Sequence, residues 1–143
     1  MSDLLSVFDE ISVSFENPAL DAMGYNSVAG KLSCQKNELI LQFKQKDRAF
    51  RKNPLFTVSF LYDEIELIEF HSRWFQPKRL VFQTSAAEKL KDFPGAGVGS
   101  VELFLERGSI SQAKKIVGLV EFRKSEASLM RVESRLGESG DKV

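Results

Sequence analysis

Two runs in this sequence carry side chains suited to recognition. Lys44, Lys46, Arg48, Phe50, Arg51 and Lys52 set five cations against the single anion Asp47. His71, Arg73, Trp74, Phe75, Lys78 and Arg79 add three more cations and the only tryptophan of the chain. Cations beside aromatic rings suit anionic lipid, where each cation near the surface contributes about 1 kcal/mol and rings settle at the headgroup level. They also suit an acidic protein or peptide, or single-stranded nucleic acid, whose bases stack on rings. The plainer alternative is solvated loop charge, with Trp74 and Phe75 tucked into the body.

Groups that carry catalysis do not converge. Gly95, Gly97 and Gly99 invite comparison with a phosphate-cradling loop, but Ser100 stands where GxGxxG needs a third glycine. No Lys-Ser/Thr follows, and the next element reads as a strand, so these are connection glycines. His71 has no serine or cysteine nucleophile indicated and no acid placed to orient it. Asp63 and Glu64 are adjacent, and adjacent strand residues point to opposite faces, so they do not meet on one substrate. Cys34 is the only cysteine and His71 the only histidine, so neither an internal disulfide nor a zinc site can be assembled. The expectation is a protein that is not an enzyme and holds no cofactor or metal, with Cys34 a reduced thiol in a core or sheet.

Bulk composition narrows the setting. At 143 residues and 43% hydrophobic content the chain is sized for one domain with its own core. Twelve Phe against two Tyr and one Trp point to aromatic area that fills an interior. Twenty basic and twenty acidic residues cancel, which argues against a body built to bind polyanions and makes nucleic acid the least expected partner. Met1-Ser2-Asp3-Leu4-Leu5 lacks the basic start of a signal peptide, and no window approaches the ~20 apolar residues of a membrane span. A cytoplasmic location is expected.

The elements that must position the two basic runs are mostly strands. Apolar residues alternate at Ile11, Val13 and Phe15; at Val28, Leu32 and Cys34; through Leu39–Phe43; at Phe56, Val58 and Phe60; through Ile65–Phe70; through Leu80–Thr84; and at Val101, Leu103 and Leu105. Polar corners separate them at Gln35–Glu38 and Tyr62–Glu64. The charged stretch from Lys44 to Pro54 is a loop or strand ends, and Ala86–Phe93 a short helical turn. After Ser109, a good N-cap, Ile110, Ala113, Ile116, Val117 and Val120 form a helical stripe that needs a sheet to cover. Arg123-Lys124-Ser125-Glu126 interrupts the stripe, which resumes weakly at Leu129, Val132 and Leu136.

This order, about seven antiparallel strands and then one amphipathic helix, resembles a bacterial pleckstrin-homology-like domain over roughly residues 10 to 122. The resemblance rests also on Phe60-Leu61-Tyr62-Asp63-Glu64-Ile65, and on the stretch from Phe93-Pro94-Gly95 through Val101-Glu102-Leu103-Phe104-Leu105 into Ala113. It implies an α+β, mostly β fold: a barrel closed by the C-terminal helix, whose loops bind inositol phosphates, peptides or proteins. Phosphoinositide-binding members gather Lys and Arg around their first hairpin, whereas Glu16 to Tyr25 holds no basic residue. The expected layout is a domain over 1–122, a helical extension over 123–136 and a disordered tail over 137–143. The expected function is a binding module that engages an acidic protein, peptide or anionic membrane surface through both basic runs. The alternative is a structural homo-oligomer joined through strand edges or the C-terminal helix. In a simple meander the two basic runs share one positive face, with the acidic corners at Glu38 and Asp63-Glu64 towards the other end.

Overall fold

In a computed structural model, the protein is described over residues 11–18, 27–46, 54–94 and 96–141, without the side chains of Lys46 and 130–141. Each expected strand forms, because each alternating segment has one face to bury. They are β1 (Ile11–Asn17), β2 (Ser27–Cys34), β3 (Glu38–Lys46), β4 (Leu55–Leu61), β5 (Ile65–His71), β6 (Arg79–Thr84) and β7 (Ser100–Phe104). Helix α1 (Ile110–Asp141) follows.

The strands make two antiparallel sheets, β1-β2-β3-β4 and β5-β6-β7, each in sequence order. The ladders do not close into one barrel among the described residues. Backbone bonding joins the sheets at one corner, where a bridge pairs Phe15 with Leu105 and Glu106 N–H donates to the Ser14 carbonyl at 3.2 Å. Asn17 reinforces that corner: its side chain donates to the Glu102 carbonyl and accepts from Phe104 N–H.

Cross-strand register sets the core. Val13, Leu32, Leu41 and Val58 form one row across the first sheet, and Phe15, Gly30, Phe43 and Phe56 the next. Phe93 comes from the β6–β7 connection to meet that second row, its ring 4.9 Å from Phe43 and 6.1 Å from Phe15. Phe60 meets Phe82 of the second sheet edge-on at 5.0 Å. Phe15, Phe43, Phe60, Phe82 and Phe93 thus fill the space between the two sheets.

Helix α1 lies against β1, β5 and the turn after β4, burying Ala113, Ile116 and Val120 completely. Val117, at the flank of that stripe, is only partly buried. Ser109 has a role its reading as a cap did not include: its hydroxyl accepts the Ser14 N–H at 2.8 Å, tying the start of the helix to β1. The helix runs on through the expected helical extension over 123–136 and continues to Asp141, into the segment expected as a disordered tail. The charged run that interrupts the stripe contains nothing that breaks a helix. Arg123 instead pairs with Glu126 one turn on, and Lys124 donates to the Glu66 carbonyl at 3.1 Å. No helix among the described residues is long and apolar enough to cross a membrane.

Candidate functional site

The second basic run forms the connection between β5 and β6. Hydrogen bonding zips this hairpin to its last pair, His71 and Arg79, and every residue from Ser72 to Lys78 is then exposed. Inside the connection Gln76 N–H donates to the Arg73 carbonyl at 3.1 Å, closing a turn. Trp74 and Phe75 stand at its tip, 85% and 88% exposed. Their rings pack on each other, with centroids 4.3 Å apart. This overturns the alternative in which they tuck into the body, and it departs from the interior role that composition assigns to aromatics.

Phe75 also has a φ of +81°. A bulky side chain in this left-handed region costs on the order of 1–3 kcal/mol. Phe75 is 88% exposed, so core packing does not offset that cost.

The charges around the turn divide in two. Arg79 is engaged, its guanidinium 3.3 Å from the Glu102 carboxylate, and Glu69 is engaged by His71 at 3.0 Å. Arg73 and Lys78 are exposed, with no carboxylate in ion-pair reach among the described residues. The nearby carboxylates are thus occupied, and the tip itself carries two open cations.

Of the first basic run, Lys44 is exposed on β3, paired with Ala29 and Leu55. Lys46 ends that strand, while Arg48, Phe50, Arg51 and Lys52 lie outside the described residues. Lys44 and Lys46 belong to the first sheet, and the second run joins two strands of the other. No hydrogen bond, ion pair or ring contact joins Lys44 to Arg73, Trp74, Phe75, Lys78 or Arg79. A series of contacts nonetheless leads from one towards the other: Arg79 to Glu102, Glu102 to Asn17, Asn17 to Val28, and Val28 to Gln45 beside Lys44.

The corners at the other end of β3 are structural. Glu38 pairs with Leu61, so the β2–β3 corner and the 3₁₀ turn Tyr62–Glu64 lie together. Tyr62 belongs to a corner read as polar, yet it is buried. Its hydroxyl is directed at the carbonyls of Gln35 and Glu38 and lies 3.1 Å from Cys34 Sγ. Burial pushes both groups above their ordinary pKa, and their mutual hydrogen bond raises Tyr62 further while opposing the rise at Cys34. Neither is therefore primed as a nucleophile. A tyrosine opening a turn leaves no periodic trace, and the signal that could have found it is the amphipathic side chain flanked by two strand patterns.

Glu64 accepts from Leu61 N–H and from Lys89, both at 2.8–2.9 Å, and these bonds hold its carboxyl below the ordinary carboxylate pKa. Lys89 also donates to the Ser59 carbonyl on the outer edge of β4 at 2.9 Å. Gly99 is required by the backbone: it has a φ of +73°, and an added Cβ would lie 2.6 Å from the Thr84 carbonyl. That supports its reading as a connection glycine.

A second exposed surface runs along α1. Ile11, Lys115, Leu119 and Phe122 line a groove of about 630 Å³. Phe122 is 56% and Leu129 63% exposed, two turns apart on one helix. No protein-family model matches the chain, and no match is found among curated proteins or among solved structures.

Proposed function

We propose that this chain is a non-enzymatic, cytoplasmic binding module of pleckstrin-homology-like architecture, which engages an acidic protein, peptide or anionic membrane surface through its basic loops. The observation that carries the reading is the β5–β6 turn, which exposes Trp74 and Phe75 between the open cations Arg73 and Lys78. Exposed aromatic area flanked by charge is what recognition uses and what a merely solvated loop does not need. The sequence of four strands, three strands and a helix supports the architectural part. In this reading Lys44, Lys46, Arg48, Phe50, Arg51 and Lys52 extend the same positive surface, with Arg79 holding the hairpin base against Glu102.

The test is retention at low and high salt on polyglutamate beads and on phosphatidylserine vesicles. Binding that weakens as salt rises is expected. The combined variant Arg48→Ser, Arg51→Ser, Lys52→Ser should bind less while melting within a few degrees of the parent, the outcome for charges that serve binding and not the core. Failure to bind either probe at low salt would overturn the reading, as would undiminished binding by the variant.

A second reading, a homo-oligomer, is favoured by the exposed Phe122 and Leu129 on α1. It rests on the helix more than on strand edges. Lys89 caps a carbonyl on the β4 edge and Lys124 one on β5, a means of blunting edge pairing. A mass that stays monomeric across a wide concentration range would remove it.

A further inference from the structure

We infer that the β5–β6 turn is a membrane-insertion tip: Trp74 and Phe75 enter the interface of an anionic phospholipid bilayer while Arg73 and Lys78 contact lipid phosphate. The inference rests on the proposed binding role and names its partner.

Shape favours a bilayer over a protein. A stable protein partner covers about 800 Å² on each side, with apolar anchors set among a flat rim. Here the exposed aromatics stand on a seven-residue connection that is exposed from Ser72 to Lys78. The strand ends beneath it are occupied by the pairs Glu69–His71 and Arg79–Glu102. Such a tip offers depth and little breadth. A fluid interface accepts depth, and Trp in particular settles at headgroup level.

Chemistry agrees with shape. Entry into the interface costs most for unsatisfied backbone, and the turn already closes its Gln76 N–H on the Arg73 carbonyl. Arg73 precedes the rings and Lys78 follows them, so rings that enter the interface leave both cations at the level of the phosphates. The left-handed Phe75 holds a ring where glycine would sit without strain. Its ring is exposed and outside the core, and insertion would give it an apolar environment.

Trp74 is the only tryptophan, so intrinsic fluorescence reports on the tip alone. The full chain is titrated with vesicles of phosphatidylcholine containing phosphatidylserine, with vesicles of phosphatidylcholine alone, and with polyglutamate. The expected result is a blue shift of Trp74 emission with the anionic vesicles only, and quenching by lipids brominated near the headgroup. Phe75→Gly keeps the turn conformation and the reporter. It should weaken partitioning at least about tenfold, from the apolar area it removes. Arg73→Ser and Lys78→Ser should each weaken it about fivefold.

Anionic-vesicle binding with unshifted Trp74 emission, or with Phe75→Gly binding as the parent does, would overturn insertion and leave the basic-loop reading standing. A Trp74 shift with polyglutamate and none with vesicles would assign the tip to a protein partner and overturn the membrane. Silence towards both probes would overturn both readings.

Discussion

Gly30 sits in the middle of β2, opposite Phe15 on one side and Phe43 on the other. A Cβ at this position would lie 2.0 Å from the Gln42 carbonyl oxygen, 2.8 Å from Phe43 Cα and 2.9 Å from the Gln42 carbonyl carbon. All three are backbone atoms of β3, so no flexible side chain can yield. The carbonyl would have to retreat by about 1 Å to reach the 3.0 Å that real Cβ atoms respect. β3 is poorly able to move, since it is paired on both edges and buries Leu39, Leu41 and Phe43. Overpacking of about 1–3 kcal/mol and the loss of one or two ladder hydrogen bonds at about 1 kcal/mol each give roughly 3 kcal/mol or more. That is a large share of a typical 5–15 kcal/mol and a drop in melting temperature of at least about 10 °C. Gly118 provides the opposite case. It is exposed on α1 with nothing within 4 Å of an added Cβ, so Gly118→Ala should stabilise by about 0.5–1 kcal/mol. Urea unfolding followed by circular dichroism measures both, whereas the exposed Trp74 is a poor reporter of global unfolding. A Gly30→Ala variant with an unchanged midpoint and slope would refute the close approach of β2 and β3.

Tyr62→Phe should cost about 1–3 kcal/mol, because it strips part-buried carbonyls of the hydroxyl they face; an unchanged melt would mean those carbonyls find water. Glu64 has a folded pKa below its ordinary value of 4.5, first from the Leu61 N–H bond and then from Lys89. The stability it contributes is present above that ordinary value and is lost as pH falls through the lower folded one. Glu64→Gln should therefore destabilise at neutral pH and progressively less in acid, and a penalty independent of pH would show that ionisation is not its source. Phe75→Gly should melt at or a few degrees above the parent, since relief of left-handed strain offsets the added chain entropy. A lower melting temperature would mean that the Phe75 ring packs on the body.

Local sequence reports an element wherever one of its faces is buried along its length. The alternation of Val13 and Phe15, of Leu39, Leu41 and Phe43, or of Leu80 and Phe82 is the direct consequence of a strand with one side in the core, so strand positions need no knowledge of the partner. Ala113, Ile116 and Val120 marked the helix for the same reason at a different period. Beyond Phe122 the gap in the apolar stripe leaves two outcomes open along the sequence, one helix that runs on or a second that starts, and periodicity does not choose between them. In the fold the gap is filled by the Arg123–Glu126 pair and by Lys124 reaching the β5 backbone. Tyr62 lies in the expected corner, but its burial depends on which corner packs beside it, here Gln35 to Glu38 from a different hairpin. The basic and aromatic residues of the β5–β6 connection stood out by type, but their exposure did not. Whether Trp74 and Phe75 fold back or project depends on where the hairpin stops zipping and on what the second sheet leaves beyond its end. Those are non-local facts, set by the pairing of His71 with Arg79 and of Arg79 with Glu102, and no periodicity along the chain encodes them.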